Sequence, residues 1–192
     1  MIKKIVALAA TSLLLASCSV VGIRNAEEAP YEVVKGEGAI EIRRYSPVIM
    51  ATTCVDSDYY ESSREGFGRL AAYIFGDNRT SEDIAMTAPV LQERVGSEWW
   101  MAFVMPSSYT MDSLPAPLDP TIKTSEIPSR TVAVIRYSGI LSRTAIDLHA
   151  FQLQAWIEAN GYQALSAPRS AGYDPPWTLP FLRRNEVHID IG

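Results

Sequence analysis

Apolar and polar positions alternate along this chain in changing rhythms, and each change marks an element. Residues 31–35 and 39–45 alternate with a period of two around a turn at Gly36–Gly38, the pattern of a strand pair. Ile40 and Ile42 face one way, Glu41 and Arg43 the other. Pro47 introduces a third strand, residues 48–55. Between residues 59 and 75 the period becomes helical. Phe67, Leu70, Ala71, Ile74 and Phe75 fall at i, i+3, i+4, i+7 and i+8. Asp56, Ser57 and Asp58 offer N-caps, and Gly76 offers a stop. Gly66 and Gly68 inside this helix should each cost it up to about 1 kcal/mol relative to Ala, and they leave room for a close neighbour. Residues 84–91 and 99–105 return to strand. The second run is apolar on both faces, as in a central strand or one covered by a helix or ligand. A proline-bearing loop, residues 106–120, then breaks the chain into halves.

The second half repeats the order. Residues 122–127 and 130–137 read as strands, and Ser142 caps a helix that runs to Asn160-Gly161 with Ile146, Ala150, Leu153 and Ile157 as its buried stripe. Residues 163–170 form a further strand. Pro175, Pro176 and Pro180 stiffen the loop that follows. The last strand alternates Val187, Ile189 and Ile191 with Arg184, Glu186, His188 and Asp190, the period of a half-buried strand whose polar face meets solvent. Strand–strand–helix–strand–strand thus occurs twice, and residues 99–105 correspond to 187–191. The expected fold is α+β: two pseudo-symmetric halves unite into a curved, mainly antiparallel sheet or distorted barrel with two packed helices.

Composition adds a location. Lys3 and Lys4 precede an apolar run of about eleven residues, short of the roughly 20 that span a bilayer as a helix. Leu15-Ala16-Ser17-Cys18 follows and resembles the lipobox of bacterial lipoproteins. That resemblance implies a signal peptide over residues 1–17, an acylated Cys18 that anchors the protein to a membrane, a tether over residues 18–30 and one domain over residues 31–192. It also implies a place in the cell envelope facing the periplasm or exterior. Ser19 favours the outer membrane in a Gram-negative cell. Loss of residues 1–17 removes two lysines and moves the net charge from −5 to −7. Such a domain does not suit nucleic acid, which wants a basic face. Cys54, alone in an apolar run once Cys18 is acylated, reads as a small buried hydrophobe.

Three stretches carry a family resemblance. Tyr173-Asp-Pro-Pro-Trp-Thr-Leu-Pro-Phe-Leu-Arg-Arg-Asn-Glu-Val187 resembles the terminal signature of the SOUL/heme-binding protein family. Ile84-Ala-Met-Thr-Ala-Pro-Val90 resembles its midpoint motif, and residues 31–45 its opening hairpin. The resemblance spans residues 31–191. It implies a distorted barrel of two pseudo-symmetric halves with two helices, and non-covalent binding of heme or a related tetrapyrrole beside the first helix. Arg64 matches a position proposed to meet a propionate. Phe67, Leu70 and Ala71 match apolar positions proposed to line the ring. The chain departs from the pattern at Ala72, where a basic partner would stand, and at Thr178, which lacks a basic side chain found in some relatives.

The remaining candidates read as structural. His188 fits a solvated strand position, and His149 a packed position on the second helix. Met86, Met101 and Met105 fit core filling better than iron ligation. Arg183, Arg184, Asn185 and Glu186 cannot converge, because adjacent strand residues point to opposite faces; Glu186 is expected to balance Arg184 or another exposed cation. Gly66-Phe-Gly68-Arg-Leu-Ala71 has the spacing of a dinucleotide fingerprint but lies within a helix rather than before one. With no catalytic motif in view, the expected function is a lipid-anchored protein that binds heme or a related tetrapyrrole reversibly as a buffer, carrier or scavenger. The alternatives are a module for another hydrophobic small molecule, a tetrapyrrole-modifying enzyme, and an envelope interaction protein.

Overall fold

The computed structural model describes residues 26–192. Cys18, the signal peptide and the first part of the tether lie outside them. In chain order the elements are β1 (Glu27–Glu28), β2 (Tyr31–Glu37), β3 (Ile40–Tyr45), β4 (Val48–Val55), α1 (Tyr59–Ile74), β5 (Thr87–Ala88), β6 (Val90–Val95) and β7 (Glu98–Val104). They continue with β8 (Lys123–Ile127), β9 (Arg130–Tyr137), α2 (Arg143–Ala159), β10 (Arg169–Gly172) and β11 (Asn185–Asp190). β1 pairs with β5, so folded structure begins inside the stretch expected to be tether.

Nine strands form one curled antiparallel sheet in the order β2-β3-β9-β11-β10-β6-β7-β4-β8. The repeat is real at the level of topology. β7 lies between β4 and β6, as β11 lies between β9 and β10. The strands that precede β4 and β9 are exchanged: β3 pairs with β9, and β8 pairs with β4. The halves meet where β6 pairs with β10. Exchanged strands and that seam make one continuous structure of the two halves.

The helices form where their caps and stripes predicted. The Asp58 carboxylate accepts from the backbone N–H groups of Tyr60 and Glu61, and Ser142 Oγ accepts from that of Ala145. Gly76 follows the end of α1 at φ 109°, a left-handed conformation open to glycine. α2 buries Ile146, Ala150, Leu153 and Ile157 against Ala133, Ile135, Val187 and Ile189. α1 buries Leu70, Tyr73 and Ile74 against Ala51, Met101 and Phe103. A third cluster, including Met50, Leu91, Val104, Val132 and Tyr173, fills the concave side.

Four expectations need correction. The strand expected at residues 163–170 is Arg169–Gly172, because Pro168 has no N–H to offer a ladder. The strand expected at residues 84–91 is β5 and β6, divided by Pro89 after a cis peptide bond. Cys54 is exposed: it shares the parity of Met50 but sits near the end of β4, past the packed interior. His188 is buried, as is Glu186 on the same face of β11, because that face looks into the curled sheet rather than out to solvent; only Asp190 at its end is partly exposed.

Candidate functional site

Two places concentrate chemistry, and they lie on opposite faces of the sheet. The first is the flank of α1. Tyr60, Arg64, Phe67, Ala71 and Phe75 recur at three- and four-residue steps and share one side. Tyr60 and Phe75 are each 65% exposed and Phe67 42%. Phe67 stands edge-on to Phe103 of β7, centroids 5.4 Å apart, so its ring is held while one face stays open. Arg64 pairs with Glu61 at 2.7 Å; its side chain is 78% exposed and keeps further N–H donors free of that pair. The neighbouring side of the helix is closed. A Cβ on Gly66 would stand 3.3 Å from the Met101 Cβ, so this turn lies directly on β7.

The sequence-derived site residues separate here. Arg64, Phe67 and Ala71 share the open flank. Leu70 does not: it has no exposed surface and packs in the core beneath the helix. Ala72 lies on the other side of α1, with Gly68 and Arg69, along an open groove of about 440 Å³ that Asp77 and Asp119 also line. Arg69 is engaged there by Glu65, Thr53 and the Cys54 carbonyl. Thr121 hydrogen bonds hold the Asp119 carboxyl below its ordinary range, so the groove stays anionic. A cavity of about 290 Å³ at the end of the sheet is lined by Glu27, Glu28 and Glu126 among apolar groups. Of these surfaces, only the Arg64 flank joins exposed aromatic rings to a guanidinium with donors to spare.

The second place is the concave interior, and pattern reading missed it. Glu186 is fully buried and accepts from Arg43, Arg184, Tyr173 and His188 at 2.8–3.0 Å. Burial alone would raise its pKa, but hydrogen bonds and charge from His188 and Arg43 outweigh that and hold the carboxyl well below the usual range. Burial pushes His188 below its ordinary value against the pull of Glu186. Arg43 lies over the Tyr31 ring at 4.3 Å and Arg184 over Tyr173 at 3.7 Å. Arg184 also reaches Glu28. The protein's own cations thus satisfy this carboxylate. Glu186 does pair with Arg184 as expected, but in the interior. Alternation carried no signal of this: pairing on both edges leaves open whether the polar face of a strand meets water or an interior, and the curl of the sheet decides it.

The other candidates are structural. His149 stacks on Tyr137 with centroids 3.8 Å apart and donates from Nδ1 to the Ala145 carbonyl. Met101 and Met105 are buried, and Met86 is partly buried against the same cluster. Arg183 donates to the Thr178 and Pro176 carbonyls, and Asn185 to that of Gly139, so the terminal Arg-Arg-Asn-Glu run diverges.

A curled antiparallel sheet of two exchanged halves, with a helix packed on each, defines the architecture. The family described as SOUL heme-binding protein matches residues 26–190, and the chain belongs to that family. It is 31% identical to Heme-binding protein 1 of Xenopus laevis over 166 residues, 81% of this chain and 86% of that protein. It is 30% identical to Heme-binding protein 1 of Mus musculus over 176 residues, 85% of each. Among solved structures, the C-terminal domain of EcmrR aligns with TM-score 0.62 at 13% identity, covering 84% of this chain and 98% of that one. A hydrolase from Listeria innocua aligns with TM-score 0.53 at 10% identity, over 83% and 94%. These structures share the fold.

Proposed function

We propose that this chain binds heme or a related tetrapyrrole, non-covalently and reversibly, on the Tyr60–Arg64–Phe67 flank of α1. Its membership of the SOUL family over residues 26–190 carries this reading, together with relatives named for heme binding. The flank suits such a ligand chemically. A flat apolar ring lies against Phe67, Ala71 and Phe75, and a propionate meets the guanidinium of Arg64. Neither histidine is on α1, so ring contact and charge pairing supply the affinity from this flank. The iron's redox and ligand chemistry belongs to the bound group.

The protein works as a buffer, carrier or scavenger rather than as an enzyme, held in the cell envelope by acylated Cys18. The Leu15-Ala16-Ser17-Cys18 run supports the anchor. Hemin titrated into the chain from Ser19 onward should give a saturable Soret band at near-equimolar hemin. Absence of saturation would sink the reading. Metabolic labelling with a fatty acid that is lost in Cys18→Ser checks the anchor separately.

A further inference from the structure

The loop from Tyr173 to Arg184 has its polarity reversed. Its neck is closed by the Tyr173 N–H on the Arg184 carbonyl and by the Asp174 carboxylate on the Arg184 N–H. Inside, the Arg183 guanidinium is given to the carbonyls of Thr178 and Pro176. The apolar side chains point outward instead: Trp177 is 63% exposed and Phe181 70%. The Gly139 N–H donates to the Pro180 carbonyl and seats a second turn beside them, whose Ile140 is 64% exposed. Three prolines and the inward hydrogen bonds keep this knob from folding its rings away. Exposed clusters of this kind mark surfaces that meet a partner or a membrane.

We infer that the knob of Trp177, Phe181 and Ile140 inserts into the headgroup region of the membrane that carries the protein. This rests on the lipid anchor proposed above. The chain enters the fold at the neck of this loop. Glu28 binds Arg184 at the neck of the loop through both carboxylate oxygens, at 2.9 and 3.0 Å, so the chain enters beside the knob. Cys18 is eight residues before Ala26, a reach of at most about 29 Å. An anchored chain therefore holds this end of the domain near the bilayer. Arg136 is exposed and lines the groove beside Phe181 and Leu182, placing a cation next to the apolar tips. Trp favours the interface because its ring is apolar and its N–H can stay wet.

The nine-stranded sheet and both helices lie within residues 26–192, so a chain starting at Cys18 keeps the described fold. That chain, with a hexahistidine tag ahead of it, is tethered to phosphatidylethanolamine–phosphatidylglycerol vesicles carrying a nickel-chelating lipid. The artificial tether makes the result independent of acylation. Tryptophan emission is then read with and without brominated lipid. Quenching is expected in the parent chain, and its loss in Trp177→Phe, because Trp99, Trp100 and Trp156 lie elsewhere. Phe181→Asp with Ile140→Asp, both at exposed positions, should weaken the quenching of the retained Trp177. Quenching that is absent, or unchanged in Trp177→Phe, overturns the inference and leaves the knob for a protein partner. Failure of fatty-acid labelling at Cys18 would instead remove the anchor while the vesicle result stands.

Discussion

The Glu186 carboxylate holds Arg43 through both terminal guanidinium nitrogens, at 2.8 and 3.0 Å, with Glu186 fully buried and Arg43 2% exposed. One partner comes from β3 and the other from β11, the two neighbours of β9, so the pair clasps three strands from inside the curl. Removing the carboxylate charge leaves two guanidinium groups facing a buried amide. Glu186→Gln should cost about 3–5 kcal/mol in urea denaturation. Replacing Glu186 and Arg43 together with apolar residues should recover part of that loss, because one of the two uncompensated guanidinium groups goes with them and the other, Arg184, keeps Glu28.

The same cluster sets a direction for pH. His188 and Glu186 both have folded-state values below their ordinary 6.5 and 4.5. Both groups therefore bind protons more readily in the unfolded chain, and stability falls as pH falls. The His188 contribution is complete above 6.5 and declines below it; the Glu186 contribution declines below 4.5. Urea midpoints should drop in two stages on acidification. His188→Gln should flatten the upper stage, and a midpoint that rises between neutrality and mild acid would contradict the assignment.

The two α1 glycines make a paired test. A Cβ on Gly68 meets nothing within 4 Å, whereas one on Gly66 meets Met101 and Thr53. Gly68→Ala should stabilise the protein by about 0.5–1 kcal/mol through helix propensity. Gly66→Leu should destabilise it by about 1–3 kcal/mol by forcing α1 off β7. Thermal melts of the two variants decide it: equal shifts would mean that α1 does not rest on the sheet as described.

Much of the fold was legible because local signals agreed with it. Asp58, Ser142 and Gly76 ended the helices as their chemistry predicts, and the doubly apolar run at residues 99–105 became the centre of its half. What failed was the inference from alternation to exposure. Glu186 and His188 alternate with valine and isoleucine as a solvated face would, yet a curled sheet gives that face an interior. Arg43 and Ile42 do face opposite ways on β3, yet both are buried. Period two identifies two faces but does not say that one is wet. Cys54 shows the converse, an apolar side chain on a face left uncovered while Val55 on the other face stays buried. On α1, the helical stripe joined Leu70 to Phe67 and Phe75, but one is core and the others are surface; side-chain type alone does not separate them.

That separation changes the variants that test ligand binding. Leu70→Asp would place a carboxylate in the core and unfold α1, so it cannot report on a ligand. Leu70→Ala should lower stability by about 2–5 kcal/mol and leave hemin affinity of the folded protein unchanged. Phe67→Asp and Arg64→Glu lie on the open flank and should fold normally. Each should weaken hemin binding about tenfold, the change that goes with about 1.4 kcal/mol. The Arg64→Glu effect should shrink as salt is raised, because the guanidinium is solvent-exposed and its attraction to a propionate is screened. Phe67→Asp should lose affinity at high salt as well, since ring contact is not screened. Arg69→Glu, on the groove that Asp77 and Asp119 already make anionic, serves as the comparison. If hemin titrations show Arg69→Glu weakening binding while Arg64→Glu does not, the ligand lies on the opposite side of α1 and the assigned flank is wrong.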